Sequence, residues 1–211
     1  ASFENILNSL NANATRGLSL LDAKHRFVFS PYWQLPIPKH DGFTGMLVNG
    51  WGISGIVTYQ SGFPIRVQTQ NDQELQSSFD FEVVNTPQAS GPIARLNPKK
   101  NAGVWFDSTN ISDPGLGAFG NMPHAFCCGP AISNTDLAIE KRTPINERFN
   151  TEFRAEFYNA WNHTQFANPD GNFSDGVPVI VGGQNTGGTF GVVTKTREGP
   201  RVIQFGLKVL F

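Results

Sequence analysis

By residue type, Glu152 and Glu156 are the pair best suited to acid–base chemistry. Their segment alternates apolar and polar residues, so it reads as a strand. Four residues along a strand cover roughly 13 Å, beyond the roughly 5–9.5 Å that separates the carboxyls of glycosidases. Arg148, Arg154 and Tyr158 lie on the same side as the two glutamates. Both signs of charge along one face offset one another and reach neighbouring strands, which suits the lining of a watery space better than catalysis. Gly50-Trp51-Gly52-Ile53-Ser54-Gly55 matches G-x-G-x-x-G. A dinucleotide site needs a helix after that turn, but Ile-Val-Thr-Tyr-Gln follows, which is strand chemistry. His25, His40, His124 and His163 form no metal spacing with one another or with a cysteine. The adjacent Cys127 and Cys128 read as two separate loop thiols, because a bridge between neighbours about 3.8 Å apart is cramped. The expectation is therefore no catalytic residue, no cofactor, no metal and no enzyme.

The elements that carry these side chains are strands with two unlike faces. Counting back from the end, Phe211, Val209, Leu207, Phe205 and Ile203 are apolar, while Lys208 and Gln204 fall on the other, mixed face. A period of two over a stretch of this length fits a tilted membrane-spanning strand of roughly 9–11 residues. In 148–161 the division recurs more sharply. Phe149, Phe153, Phe157 and Trp161 share one face, and Arg148, Glu152, Arg154, Glu156 and Tyr158 share the other. Residues 24–35 place Phe27, Phe29 and Trp33 together, with Pro31 as an expected irregularity, since proline removes a ladder donor. Residues 50–60 place Trp51, Ile53, Val57 and Tyr59 together, and 63–67 is expected to extend this strand past a kink. In 135–142, Leu137 and Ile139 oppose Asp136, Ala138 and Glu140. Tryptophans and tyrosines near strand ends are expected where aromatic girdles meet the membrane boundary.

Composition agrees. The 211 residues carry 16% charged side chains, against roughly 25% in soluble domains. With 18 Phe, 22 Gly and 14 Pro, short strands joined by turns are favoured over helices. A net charge of -1 gives no case for nucleic acid. No apolar run is long enough for a transmembrane helix, which says nothing against a barrel. The chain begins at Ala1 without a signal peptide, so an exported barrel implies residues upstream. Residues 3, 6, 7 and 10 suggest a turn or two of helix, 36–42 and 143–146 read as turns, and 79–83 as a short strand.

In combination, several stretches resemble the end of TonB-dependent outer-membrane transporters of the Oar-like type. They are Lys24-His25-Arg26-Phe27-Val28-Phe29-Ser30, Leu35-Pro36, and Asn49-Gly50-Trp51 through Tyr59-Gln60-Ser61-Gly62-Phe63-Pro64. Phe119-Gly120-Asn121, Gly129-Pro130 and Asp136-Leu137-Ala138 follow. Phe153-Arg154-Ala155-Glu156-Phe157-Tyr158-Asn159-Ala160-Trp161-Asn162-His163 is similar to a late barrel strand of that family, with Ala160-Trp161 where the family has Leu-Phe. Gln204-Phe205-Gly206-Leu207-Lys208 and the terminal Phe211 complete the likeness, which covers about residues 20–211. The resemblance implies a wall segment of a plugged barrel of about 22 strands that imports a bulky ligand. Its partners would be outer-membrane lipid, the remaining barrel and plug, and an inner-membrane energy-coupling protein of the TonB type. The implied location is the bacterial outer membrane.

The expected fold is all-β, an antiparallel meander forming part of a transmembrane barrel. Residues 1–22 would be a loop or the end of a preceding element, and 23–211 the C-terminal barrel part. Five or six strands are expected, depending on whether 190–196 is one. With five, the long segments 70–133 and 162–200 both fall outside the cell and the short turn at 143–146 faces the periplasm. Barrels generally keep that arrangement of long and short connections, so five is preferred. The residues expected to line the lumen are Arg148, Glu152, Arg154, Glu156, Tyr158, Gln204 and Lys208. Those expected to face lipid or its boundary are Phe27, Phe29, Trp33, Trp51, Tyr59, Phe149, Phe153, Phe157, Trp161, Phe205 and Phe211. The alternatives are a small porin-like barrel and a soluble secreted β-sandwich that binds glycans.

Overall fold

A computed structural model describes residues 11, 13, 16–70, 85–146 and 148–211. The expected helical turn at 3–10 and the strand at 79–83 lie outside the described residues. The chain divides into two compact units. One holds His25–Gln60, Ile132–Gln165 and Glu198–Phe211; the other holds the intervening Ser61–Ala131 and Phe166–Arg197, with Ala1–Lys24.

The first unit is a single antiparallel sheet. Its strands are β1 (Arg26–Phe29), β2 (Tyr32–Gln34), β3 (Trp51–Gln60), β8 (Ile132–Pro144), β9 (Asn150–Tyr158) and β12 (Val202–Leu210). β1 and β2 both pair with β3, and the order continues β3-β8-β9-β12, leaving β12 as a bare edge. This is the five-strand meander expected from the period of two, with the first strand broken at Pro31. The Pro31 carbonyl still accepts from the Gly55 amide at 3.1 Å, so the break is bridged. Strand ends move by a few residues. β8 runs to Pro144, so the turn falls at 145–149 rather than 143–146. There the Asn146 side chain accepts from the Arg148 and Phe149 amides at 2.9 and 2.8 Å, supplying the acceptor that a tight turn leaves wanting.

Every register in the sheet joins odd to odd and even to even. Phe29 faces Val57, Ile53 faces Ile139, Ile139 faces Ala155, and Ala155 faces Phe205. The alternation of each strand therefore adds up across the whole sheet, which a one-residue slip anywhere would destroy. At one end Gly50 holds this register. Its φ is +78°, and a Cβ there would lie 2.1 Å from the Arg142 carbonyl oxygen. The Arg142 amide donates to the Gly50 carbonyl at 2.9 Å, so the close approach is a ladder bond continued past β3. The G-x-G-x-x-G run is thus strand and turn, with no helix after it.

Two expectations fail here. Gly42–Val48 forms a short helix, α1, just beyond the turn expected at 36–42. It starts after Asp41 without a side-chain cap and contains two glycines, so no start signal or strong propensity announces it. Its last turn is tied to the sheet by the Trp51 indole, which donates to the Leu47 carbonyl at 3.0 Å. The expected extension of β3 through 63–67 also fails. Ile65–Arg66 (β4) leaves the sheet and pairs with Ala125–Phe126 (β7) in the second unit.

The second unit has its own apolar core of Ile65, Val67, Trp105, Phe106, Ile111, Met122 and Phe190. Phe106 meets Phe126 and Phe190 edge-on at 5.4 and 5.2 Å, and Phe173 meets Phe190 at 5.2 Å. Among the described residues, regular structure is scant: besides β4 and β7, β5 (Gln88–Ala89) pairs with β6 (Ile111–Ser112) and β10 (Ile180–Val181) with β11 (Gln184–Asn185), and Phe173–Asp175 makes a 3₁₀ turn. Residues 190–196 form no strand of the sheet. Phe190, Val192 and Thr196 instead make single bridges to Asp170, Val104 and Phe166. Cys127 and Cys128 are joined to each other across a cis peptide, their Cα atoms 3.0 Å apart, where two separate thiols were expected. The spacing of about 3.8 Å between neighbouring Cα atoms holds for a trans peptide.

Candidate functional site: the charged face of the sheet

The even-numbered face of the sheet gathers the side chains that could contact a solute. In β8 and β9, Glu140 stands opposite Arg154 and Arg142 opposite Glu152. Arg154 is the hub. Its Nη2 lies 3.3 Å from Glu152 and 3.5 Å from Glu140, and its Nη1 lies 3.5 Å from Glu156. Arg142 Nε lies 3.6 Å from Glu152, and its Nη2 lies 4.0 Å from Glu140. The Tyr158 hydroxyl donates to Glu156 at 2.9 Å, and the Tyr32 hydroxyl bonds Glu140. Glu140 is the most enclosed of these carboxylates, with 8% of its side chain exposed against 47% for Arg154. A buried carboxylate is tolerable because two guanidinium groups and a phenol face it. The backbone makes room for it. A Cβ at Gly52, opposite Glu140, would lie 3.1 Å from both Glu140 Oε1 and the Tyr32 hydroxyl.

Beside this network lies an open cavity of about 290 Å³ lined by Ser30, Ser54, Asp136, Arg154, Glu156 and Tyr158, among others. Asp136 is held in place by the Asn134 side chain at 3.1 Å and the Asn159 amide at 2.8 Å. Beyond the end of β9, Gln165 extends the ladder with a side chain. Its Oε1 accepts from the Ser133 amide at 3.0 Å and its Nε2 donates to the Ser133 carbonyl.

The structure brings together Glu152, Arg154, Glu156 and Tyr158, as the alternation predicts. It adds Tyr32, Asp136, Glu140 and Arg142, which the candidate set omitted although Asp136 and Glu140 had been put on the right face. Gln204 and Lys208 stand opposite Glu156 and Glu152 in the register of β12. Arg148 is a correction. It lies in the 145–149 turn, outside β9, because Asn146 ends the ladder before it. Phe149 and Trp161 likewise lie outside the strand, Trp161 with 72% of its surface exposed.

The odd-numbered face is apolar and open. Phe27, Phe29, Trp33, Tyr59, Phe205 and Leu207 all have more than half of their surface exposed. Phe153 stacks on Phe205 at 6.3 Å, with Trp51 and Phe157 on the same face. Among the described strand residues, Lys141 is the one charge on this side. It escapes the apolar surface by reaching the strand end, where its Nζ donates to the Asn49 carbonyl at 2.8 Å and lies 5.2 Å from the centre of the Trp51 ring.

A sheet with one charged and one broadly exposed apolar face is what a barrel wall requires. A family model described as an outer membrane beta barrel domain matches residues 1–204. The chain belongs to this family. Its members' place, the bacterial outer membrane, is the place of this protein. No curated protein and no solved structure matches the chain. Membership makes sense of the open apolar face, which in a soluble sandwich would be packed against a second sheet. Here the six strands form one sheet, and among the described residues the remaining strands are two-residue pairs.

Proposed function

We propose that this barrel segment is part of the wall of a TonB-dependent outer-membrane transporter that imports a bulky ligand. The even-numbered face lines the lumen and the odd-numbered face meets lipid. The observation that carries this reading is the unbroken odd-to-odd register across all the strands of the sheet, which keeps the Arg154 network on one side and the aromatic residues on the other. The lumen lining then comprises Tyr32, Asp136, Glu140, Arg142, Glu152, Arg154, Glu156, Tyr158, Gln204 and Lys208. The lipid face and its girdles comprise Phe27, Phe29, Trp33, Trp51, Tyr59, Phe153, Phe157, Phe205 and Phe211, with Phe149 and Trp161 just beyond the strand ends.

The partners in this proposal are outer-membrane lipid at the apolar face, and further barrel strands at the edges of β1 and β12. The barrel encloses a plug, and an inner-membrane energy-coupling protein works on the assembled transporter. The segments 61–131 and 166–197 lie outside the cell and the 145–149 turn in the periplasm. Two measurements test this. A single cysteine from Asn146→Cys, with Cys127 and Cys128 replaced, is expected to stay unlabelled by an impermeant thiol reagent on intact cells; labelling overturns the orientation. The chain alone, reconstituted in liposomes, is expected not to conduct ions. Discrete conductance steps would favour a small self-contained pore.

A further inference from the structure

The second unit holds a cavity that the sheet has no part in. It is open, about 520 Å³, and walled by two stretches, Phe63 to Gln68 and Asn168 to Asn172, with Leu20 and Arg197. The stretches are locked together. The Gln68 amide donates to the Gly171 carbonyl at 3.0 Å, the Asn168 side chain donates to the Pro64 carbonyl at 2.9 Å, and Gln68 bridges Asn172 in parallel. Gly171 is essential to this approach, since a Cβ there would lie 1.7 Å from the Arg66 carbonyl oxygen. The floor is therefore built by backbone contact and does not depend on a ligand.

Two guanidinium groups stand in this wall, from Arg66 and Arg197. Among the described residues, neither lies within ion-pair distance of a carboxylate. The Arg66 Nε is shut off from solvent and has no hydrogen-bond partner there. A buried donor left unsatisfied is costly, and more so when it is charged. Arg197 is held over the Phe63 ring, 5.0 Å from its centre, which fixes its plane without using its donors. The one carboxylate in the wall, Asp170, is occupied elsewhere. Its Oδ1 accepts from the Asn172 amide at 3.0 Å and its Oδ2 from the Thr189 hydroxyl at 2.5 Å. The cavity wall therefore carries an excess of positive charge, two guanidinium groups that no carboxylate holds, and an aromatic ring in its side.

We propose that this cavity binds a small soluble oxyanion, a carboxylate or phosphate group, held between Arg66 and Arg197. Guanidinium forks match such groups with two parallel bonds each. This goes beyond the transporter reading and does not depend on it, because the cavity lies wholly within the second unit.

The test uses the whole chain folded in detergent, titrated by calorimetry with citrate and, separately, inorganic phosphate at low ionic strength. At least one anion is expected to bind, with affinity falling as sodium chloride is raised. Arg66→Gln and Arg197→Gln are each expected to weaken binding at least tenfold, whereas Lys100→Gln, the same charge change on the exposed surface of the same unit, leaves it unchanged. Arg66→Lys and Arg197→Lys keep the charge but lose the fork, and should fall between. Protease resistance of the second unit checks that each variant is folded. Failure of both anions to bind the native chain, or equal weakening by Lys100→Gln, overturns the proposal. Failure of the conductance or labelling experiments above leaves it standing, so the two readings fail separately.

Discussion

Phe106 and Phe205 show how differently the two units treat an aromatic side chain. Phe106 is 2% exposed, inside a cluster of three other phenylalanines and a tryptophan, in chain that has almost no regular structure. Phe205 is 68% exposed, on a strand whose odd-numbered side chains are all apolar. The irregular unit obeys the rule for water, apolar groups inside. The regular unit inverts it, showing its apolar side and tying its charges to one another on the other face. Backbone order and burial thus run in opposite directions in one chain. This follows if the two units fold for different solvents. A sheet in lipid must satisfy every backbone group by its ladder, whereas a unit in water can leave polar backbone to solvent and relies on its core.

The largest test of that contrast is Phe106→Ala. Truncating a buried phenylalanine costs about 3–5 kcal/mol, so proteolysis should open 85–131 and 166–197 while the sheet's β signal in detergent survives. Loss of both together would mean that the units are not separable. Next is Leu207→Arg on the apolar face. If that face meets lipid near the midplane, the cost is about 2–4 kcal/mol for folding into bilayers, read as a lower urea midpoint in liposomes. An unchanged midpoint would show that Leu207 is not in lipid.

A smaller effect is expected at the charged face. Arg154→Leu leaves Glu140, Glu152 and Glu156 facing one another with Arg142 as the remaining close cation. The pairs to Glu152 and Glu156 are worth about 0–1 kcal/mol each, and the enclosed Glu140 keeps Arg142 and Tyr32, so destabilisation of about 1–2 kcal/mol is expected, reduced by added salt. Smallest is a pH effect in the irregular unit. The Thr109 hydroxyl and amide donate to Asp107 at 2.6 and 2.9 Å and hold its carboxyl below the usual carboxylate range. A depressed folded value stabilises the unit above the unfolded value near 3.8 and is lost as pH falls through the folded one. Asp107→Asn should flatten the acid limb of proteolytic protection in that unit alone.

The sheet was legible because a period of two needs no partner to be seen. Phe153, Phe157 and Trp33 declare their side within their own segment, and parity of the strand count assigned 190–196 to the loop. The core at Phe106 was not legible, because its partners Phe126, Phe173 and Phe190 are scattered over segments with no shared period. The charged site was half legible. Glu152, Arg154 and Glu156 lie in the clearest strand, whereas Arg142 is the last residue of the segment read as 135–142, and Tyr32 meets Glu140 only through the pairing of β2 with β3, which its own segment does not show. Arg148 was misplaced because the alternation continues through a turn that Asn146 has already begun.

That Asn146 turn has a consequence for the order of events. β8 and β9 are joined by the residues 145–149 alone, so their pairing closes a short loop, an event of about 1–10 μs for a hairpin. β3 reaches β8, and β9 reaches β12, only across the two long segments of the second unit. Collapse of that unit around Phe106 and Phe190 draws in both segments at once, shortening two slow searches together. The hairpin needs neither long connection in order to pair, whereas each of its neighbours is reached through one of them.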